Sequence, residues 1–239
     1  MNMVQRRDDG VSLIEMLVAV TILGTILGIV AQGLIQAQTT MADNASRLDG
    51  LSQTNLSLEG MTRVLRTAIL PSQIQASCTG CDEAAFISGD DFEVEFYANV
   101  NNDSVEPTSN TFGPRRVAYE VTEDGSLVER IQKPNAHALN DFNFQYCDPD
   151  SPSCAIAERT LAWDVEVTHQ DGTSRPLFRF FDRTGRRIET PLQSDALDQV
   201  DSIDIVLSVK PSDRADSVTV TARVTLPNAD SLIQPTPTP

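Results

Sequence analysis

Apolar residues dominate one stretch near the start of the chain. Residues 11–42 are VSLIEMLVAVTILGTILGIVAQGLIQAQTTMA, and Glu15 is their single charged residue. A membrane-spanning helix needs about 20 mainly apolar residues at a rise of about 1.5 Å each. Residues 11–35 meet that requirement, so the pattern predicts a transmembrane helix there.

A second helical pattern follows the apolar stretch. Its apolar residues recur at spacings near three, four or seven, which predicts a helix with one buried stripe. Residues 36–70 are therefore predicted to continue the first helix in amphipathic form, with Arg63 and Arg66 facing solvent and Pro71 ending it. The predicted stripe consists of Leu48, Leu51, Leu58, Met61, Leu65 and Ile69.

Beyond Pro71 the hydrophobic period changes to two, which is typical of strands with one buried face. A Glu-Asp-Gly turn at 123–125 predicts a hairpin. The predicted architecture is α+β, with a long N-terminal helix packed on antiparallel sheet in a head domain at 71–228. The Pro- and Thr-rich tail at 229–239 is predicted to be disordered. The predicted strands are 91–98, 115–121, 126–131, 141–146, 160–169, 176–182, 203–210 and 216–226.

The chain is acidic, with a net charge of −16 over 239 residues. That charge argues against nucleic acid as a partner, because phosphate binding needs a basic face. It also argues against attachment to anionic lipid through a polybasic patch. A hydrophobic content of 40% suits a folded protein, so an acidic head on an apolar stem fits the composition.

Three interpretations compete for the N-terminus. A secretory signal peptide needs a short apolar core and a small-residue cleavage site after it, and neither is evident here. A plain signal anchor fits the hydropathy and the Arg6–Arg7 pair. It does not explain Glu15, because an ionisable residue inside an apolar span is costly and points to a function.

The third interpretation explains both features. Residues 10–15, Gly-Val-Ser-Leu-Ile-Glu, resemble the class III leader of type IV pilin-like proteins, although that family usually has Phe where Val11 stands. The resemblance implies cleavage after Gly10 by a prepilin peptidase, which removes residues 1–10 as a leader, and N-methylation of Val11. It also implies that Glu15 pairs with the amine of an adjacent subunit and sets filament register. The alternative is that Glu15 extends to the membrane interface near the helix start.

The β-rich part resembles the J-type minor pseudopilins and W-type minor pilins in PLFRFFDRTGRRI, SIDIVLSV and VTVTARVTL. This resemblance implies a subunit near a filament tip that helps to initiate or cap a type IV pilus or type II secretion pseudopilus. The implied partners are other pilin or pseudopilin subunits, prepilin peptidase, the inner-membrane assembly machinery and, before assembly, the lipid bilayer. The implied location is a single-pass inner-membrane protein with a cytoplasmic N-terminus. Two rival functions are a tip adhesin and an anchored domain that never enters a filament.

Four cysteines follow the apolar stretch, so on that topology they lie where disulfides persist. We predict two local disulfides, Cys78–Cys81 and Cys147–Cys154. Crossed pairing and free thiols are the alternatives. The second pair has the wrong spacing for zinc, and the CxxC lacks the strand and helix of a thioredoxin-like redox motif.

The remaining chemistry is sparse. Loops at 98–103 and 147–151 offer Asn and Asp oxygens for calcium, but neither matches an EF-hand. We predict no cofactor or metal, with calcium as the alternative. The sequence has no GxSxG or Walker loop and two histidines, so an enzyme is not expected. Trp163 is predicted to lie in the core, and the basic run at 183–187 is predicted to be a solvated turn.

Overall fold

The structure, a computed structural model, contains a long N-terminal helix and antiparallel sheets, so the predicted α+β architecture is confirmed. The chain divides between Ser46 and Arg47 into two compact units. Helix α1 comprises Leu13–Leu65. The structure describes residues 12–70, 84–100, 113–136, 144–149, 151–169, 171–212 and 216–226.

Helix α1 ends five residues before the predicted end at Leu70, because the chain after Leu65 pairs with a strand. Ala68 forms an antiparallel bridge with Ala98, and the Ile69 N–H donates to the Tyr97 carbonyl at 3.0 Å. Backbone groups that would continue the helix are therefore used by the sheet. Pro71 lies outside the described residues.

Two antiparallel sheets follow the helix. One has the order β1-β2-β3-β4-β5 and the other β7-β6-β8-β9, with a short helix α2 between β7 and β8. The bounds are β1 Phe86–Gly89, β2 Glu93–Ala98, β3 Arg115–Val121, β4 Leu127–Gln132, β5 Ile156–Ala162, β6 Phe178–Phe181, β7 Arg187–Ile188, α2 Ser194–Leu197, β8 Ser202–Val209 and β9 Val218–Thr225.

The β3–β4 hairpin forms at the predicted turn. Gly125 has φ +78°, a conformation that favours glycine, and its N–H donates to the Thr122 carbonyl at 2.9 Å. The Thr122 N–H donates to the Ser126 carbonyl at 2.9 Å, which closes the hairpin. The Glu-Asp-Gly signal is therefore confirmed as a strand connection.

The predicted strand at 160–169 is wrong in its bounds. β5 ends at Ala162, and Asp164 has φ 56°, which turns the chain out of the first sheet. Val165 then forms a bridge with Val209 of the second sheet. Trp163 was predicted to lie in the core, but it is 58% exposed, because it lies between inward-facing Ala162 and this turn.

Of predicted strand 141–146, residues 144–146 form no strand and the others lie outside the described residues.

The last part of α1 and both sheets bury one hydrophobic core, which lies within the second compact unit. Its largest members include Met61, Leu65, Phe96, Tyr119, Ile203 and Ile205.

The buried stripe of α1 differs from the predicted one. Leu48 is 66% exposed, so its predicted burial is wrong, whereas Gly50, Thr54 and Ser57 are buried. Small residues here let the helix backbone approach the sheets. A Cβ built on Gly50 would lie 2.5 Å from Cγ of Pro211, which leaves no room for a larger residue. Leu58, Met61 and Leu65 are buried as predicted, and Arg63 and Arg66 are exposed.

Candidate assembly site on the N-terminal helix

The first turn of α1 contains a hydrogen bond between Glu15 and the residue that precedes the helix. The Ser12 carbonyl accepts the Met16 N–H at 3.2 Å, which is the first intrahelical bond and makes Ser12 the N-cap. The Ser12 N–H in turn donates to Glu15 Oε2 at 3.1 Å. This is the glutamate half of a capping box, in which the third helical residue reaches back to the N-cap amide.

This position is electrostatically favourable for a carboxylate. The unpaired N–H groups of a helix N-terminus carry partial positive charge, and an acidic side chain in the first turn is stabilised by about 0.3–1 kcal/mol at an exposed site. Glu15 is the acidic residue of that turn in α1. The helix terminus therefore supplies a local partner for a charge that would otherwise be costly in an apolar span.

The predicted processing residues are adjacent to this capping interaction in sequence. Val11 immediately precedes Ser12, and Gly10 precedes Val11. Both residues lie outside the described residues, so cleavage after Gly10 and methylation of Val11 stay predictions. An amine created on Val11 would be one residue from the Ser12 amide that already contacts Glu15.

The helix after Glu15 presents an apolar surface that its own fold does not cover. α1 is long and apolar enough to cross a membrane by length and composition, and none of its most apolar 18-residue window is buried within the protein. A signal sequence would satisfy the same test of length and composition. The exposed apolar residues include Leu17, Leu23, Leu27, Ile29 and Leu34.

Two threonine hydroxyls of this segment are hydrogen-bonded within the helix. The hydroxyl of Thr21 donates to the Val18 carbonyl and that of Thr25 to the Ile22 carbonyl, each at 2.8 Å. Such internal bonds are what a lipid environment requires, because unpaired polar groups there cost several kcal/mol. A Cβ built on Gly24 or Gly28 would meet nothing within 4 Å, so the helix surface at these two glycines is open within the described residues.

The second cysteine pair forms a disulfide in the head. Cys147 and Cys154 are bonded, with their Cα atoms 5.5 Å apart, as predicted for this pair. The buried side chain of Gln132 donates from Nε2 to the Cys147 carbonyl at 2.6 Å and fixes the loop to β4. Cys78 and Cys81 lie outside the described residues, and their pairing stays a prediction.

A buried carboxylate in the head was missed by the sequence analysis. Glu129 of β4 is 4% exposed, accepts the Tyr119 hydroxyl on Oε1 at 2.9 Å and pairs through Oε2 with Arg159 Nη2 at 2.8 Å. Burial, then the Glu129 charge, raises the pKa of Tyr119 well above its usual range. The alternation Leu127, Glu129, Ile131 was the available signal, because it places all three on one face of β4.

A second polar network joins β8 to the segment before β6. Arg175 Nη1 contacts Glu166 Oε2 at 2.9 Å and also donates to the buried Ser208 hydroxyl, while Arg175 Nε lies 3.3 Å from His169 Nδ1. Ser208 Oγ donates to Glu166 Oε2 at 3.1 Å. These side chains satisfy one another's hydrogen-bonding groups within the fold. The network therefore has a structural role.

The basic run at 183–187 lies in the β6–β7 hairpin. Asp182 Oδ1 accepts the N–H groups of Thr184 and Arg186, each at 2.9 Å, and Asp182 Oδ2 pairs with Arg186 Nε at 3.2 Å. The Thr184 hydroxyl bond, followed by the Arg186 amide bond, lowers the pKa of Asp182. The predicted solvated turn is confirmed, because Arg183, Arg186 and Arg187 are exposed.

Metal binding is not supported within the part of the chain that the structure describes. No group of three or more His, Cys, Asp or Glu side chains comes together among those residues. The two loops considered for calcium fall partly outside them, at 101–103 and 150, and the absence of a cofactor or metal stays a prediction.

Comparison with known proteins gives a match at the N-terminus of the chain. A family model described as the prokaryotic N-terminal methylation motif matches residues 5–31, which include the leader junction, Glu15 and most of the apolar span. No curated protein matches the chain, and no solved structure matches it. The match contains Gly10, Val11 and Glu15 at the positions from which the resemblance was drawn. The N-terminus therefore carries a prokaryotic N-terminal methylation motif, which supports the class III prepilin leader expected there.

Proposed function

We propose that this protein is a minor pilin-like structural subunit that helps to initiate or cap a type IV pilus or type II secretion pseudopilus. The observation that carries the proposal is the bond from the Ser12 N–H to Glu15 at 3.1 Å, at the start of an apolar helix that the protein's own fold leaves uncovered. The methylation motif over residues 5–31 supports the same assignment.

Processing is the first step of this function. Prepilin peptidase hydrolyses the peptide bond between Gly10 and Val11, which releases residues 1–10 and leaves an amine on Val11. N-methylation of that amine retains its positive charge at neutral pH. The mature chain therefore has a cation one residue before the N-cap. There it is repelled by the positive end of the helix dipole.

Membrane anchoring is the second step. The apolar span lies in the inner membrane with its N-terminus on the cytoplasmic side, and the head lies outside. Thr21 and Thr25 tolerate lipid because their hydroxyls are bonded to helix carbonyls at 2.8 Å. Glu15 tolerates it because Ser12 supplies a backbone donor and the helix terminus supplies partial charge.

Assembly is the third step. On leaving the membrane, Glu15 exchanges its bond with Ser12 for an ion pair with the Val11 amine of a neighbouring subunit. Removing one partner of a buried ion pair costs about 3–5 kcal/mol, because the remaining charge is left buried and unpaired. The pair therefore favours the filament register in which Glu15 and the amine meet. The apolar surface around Glu15 is buried against neighbouring helices at the same time.

The head supports assignment to the minor subunits. The three segments that resemble J-type and W-type proteins contribute β6, β7, β8 and β9, which together make the second sheet. The head's acidic surface and its structural polar networks favour a non-covalent role in contacts with other subunits over catalysis.

Incorporation of Glu15→Gln into filaments tests the proposal. The amide retains an acceptor for the Ser12 N–H but has no charge for a neighbouring amine. We expect normal membrane levels and at least a tenfold loss from the sheared filament or pseudopilus fraction. The matched control is Glu59→Gln, an exposed position later on α1, which should incorporate normally. Equal incorporation of both variants would exclude the assigned role of Glu15.

A further inference from the structure

The strands of the second sheet place more cations than carboxylates on its outer face. Arg179 of β6 pairs in register with Asp204 of β8, and Asp204 pairs with Arg223 of β9, so the three side chains form one row. Arg187 of β7 pairs with Phe181, which lies two residues after Arg179 and therefore on the same face. The charged side chains of these strands are thus three guanidinium groups and one carboxylate.

The carboxylate of this row is bound by one of the arginines. Arg223 donates from Nε to Asp204 Oδ1 at 2.5 Å and from Nη2 to Asp204 Oδ2 at 2.7 Å. This is the bidentate geometry in which a guanidinium group binds a carboxylate most strongly. The Arg223 guanidinium also lies 4.5 Å from the centroid of the Phe181 ring. Both oxygens of Asp204 are therefore already bound by Arg223.

Arg179 has no carboxylate partner within the described part of the chain. It lies opposite Asp204, but it makes no ion pair or hydrogen bond with a described residue, and its Nε is buried without a partner. A buried polar atom without a partner is uncommon in native structures and calls for a specific explanation. Arg187 and the nearby Glu189 are exposed, and neither forms an ion pair with another described residue.

A carboxylate from outside the chain would complete the row at Arg179. Guanidinium groups match the planar shape of a carboxylate, and the bond between Arg223 and Asp204 shows that this face accommodates such a pair. Phe181 is partly exposed beside the row, and arginine and aromatic side chains are frequent anchors of protein interfaces. The face therefore fits an acidic side chain that is presented by another protein.

The net charge of the chain restricts the partner further. At −16 the protein repels extended polyanions, such as nucleic acid or an anionic membrane surface. A second copy has the same excess of negative charge. A different subunit that presents one or a few carboxylates meets less repulsion. A contact between unlike surfaces also imposes no twofold symmetry, so all N-terminal stems can cross the membrane in the same direction.

We propose that Arg179, Phe181 and Arg187 form a docking surface for an acidic side chain of a different pilin-like subunit, whose carboxylate pairs with Arg179. This inference rests on the proposed filament function and names the chemistry of one subunit contact. The contact lies in the head and uses neither Val11 nor Glu15.

Zero-length cross-linking at position 179 tests this surface. The variant is Arg179→Lys in the full chain, expressed in cells that contain the assembly system, and the filament fraction is treated with a water-soluble carbodiimide. The reagent joins an amine and a carboxyl group in contact as an amide, and it takes up the released water as a urea. Competing amines are few, because the chain has two lysines, Lys133 and Lys210. The matched control is Arg66→Lys, an exposed position on α1.

We expect an amide between the new lysine at position 179 and an Asp or Glu of a different subunit, at a yield at least tenfold above that of Arg66→Lys. Mass spectrometry of the branched peptide identifies both ends. Equal yields from the two variants, a cross-link confined to Asp204 or another carboxylate of the same chain, or one confined to a second copy would each overturn the proposal.

Filament incorporation distinguishes failure of this inference from failure of the proposed function. A chain that enters filaments without the cross-link overturns the docking surface and leaves the proposed function intact. A chain that is absent from filaments overturns the proposed function, and the docking surface with it.

Two charge-removing variants separate docking from folding. Arg179→Gln removes a cation that no described residue pairs with, so the full chain in detergent should unfold at an unchanged temperature. Arg223→Gln breaks two bonds to Asp204 and should unfold at a lower temperature. If Arg179→Gln lowered the unfolding temperature as much as Arg223→Gln, Arg179 would be a structural residue of the head and the proposal would fail.

Discussion

The Ser12 N–H donates to Glu15 Oε2 at 3.1 Å, so the one acidic residue of the apolar span has a partner within its own chain. This bond gives Glu15 a role before any neighbouring subunit is present. It caps the helix, and it holds the carboxylate near the position where processing would create an amine.

The capping role predicts different effects of two substitutions on the start of the helix. Glu15→Ala removes the acceptor for the Ser12 N–H, whereas Glu15→Gln retains one. Loss of a cap costs about 1 kcal/mol, which corresponds to about a fivefold change in an opening equilibrium. We expect Ser12 amide exchange in micelles to be about fivefold faster in the alanine variant and nearly unchanged in the glutamine variant. Equal exchange in both would show that Glu15 does not cap α1.

Two glycines of α1 are predicted to respond in opposite directions to alanine. At Gly50 the new Cβ would lie 2.5 Å from Pro211 Cγ, whereas at Gly60 it would meet nothing within 4 Å. Overpacking costs about 1–3 kcal/mol, and removing a helical glycine stabilises by up to about 1 kcal/mol. Urea unfolding should therefore show Gly50→Ala less stable and Gly60→Ala slightly more stable than the parent. A stabilised Gly50→Ala would contradict the close approach to Pro211.

The Tyr119–Glu129 bond predicts a loss of stability at alkaline pH. The folded pKa of Tyr119 is raised above its unfolded value of about 10, so the folded state holds this proton more tightly. Its contribution is present below pH of about 10 and is lost as pH rises above that value. Tyr119→Phe should cost about 1.5–3 kcal/mol at pH 7, because a buried hydrogen bond to the Glu129 carboxylate is lost.

The same variant should show a shallower decline of stability above pH of about 10. The urea midpoint, measured across that range, checks both effects. An unchanged pH profile would contradict the assignment of this titration to Tyr119.

The Cys147–Cys154 disulfide predicts a modest effect that is confined to one loop. It closes a short loop with a sequence separation of 7, for which the chain-entropy account gives about 2–3 kcal/mol. Cys154→Ser should lower stability by about this amount in unfolding experiments without reductant. The difference from the parent should vanish under reducing conditions, and a difference that persists would point to packing instead of the bond.

The sequence predicted those elements whose side chains repeat with a clear period. Strand β3 has the predicted bounds of 115–121, and β8 and β9 differ from prediction by one or two residues, because alternating Val and Ile specify a buried face. The period could not locate the buried stripe of α1, since Gly50 and Thr54 are buried for their size and not for hydrophobicity.

Tertiary contacts decided the other differences. Trp163 is exposed because Asp164, at φ 56°, turns the chain out of β5, and a single-residue backbone conformation leaves no hydrophobic pattern. For the candidate site, spacing predicted Gly10, Val11 and Glu15, and all three lie within the matched methylation motif, because processing motifs are local in sequence. The partner of Glu15 is local as well, and the Ser-x-x-Glu pattern is itself a capping signal that hydropathy did not bring out.

The most direct test of the account is the N-terminus of the mature protein. Intact mass and N-terminal peptide analysis of protein purified from membranes that contain prepilin peptidase should show a chain that begins at Val11 with one added methyl group. The peptidase-negative strain and a Gly10→Val variant should retain residues 1–10. A mature chain that keeps those ten residues in the presence of the peptidase would contradict the leader assignment and the proposed assembly role together.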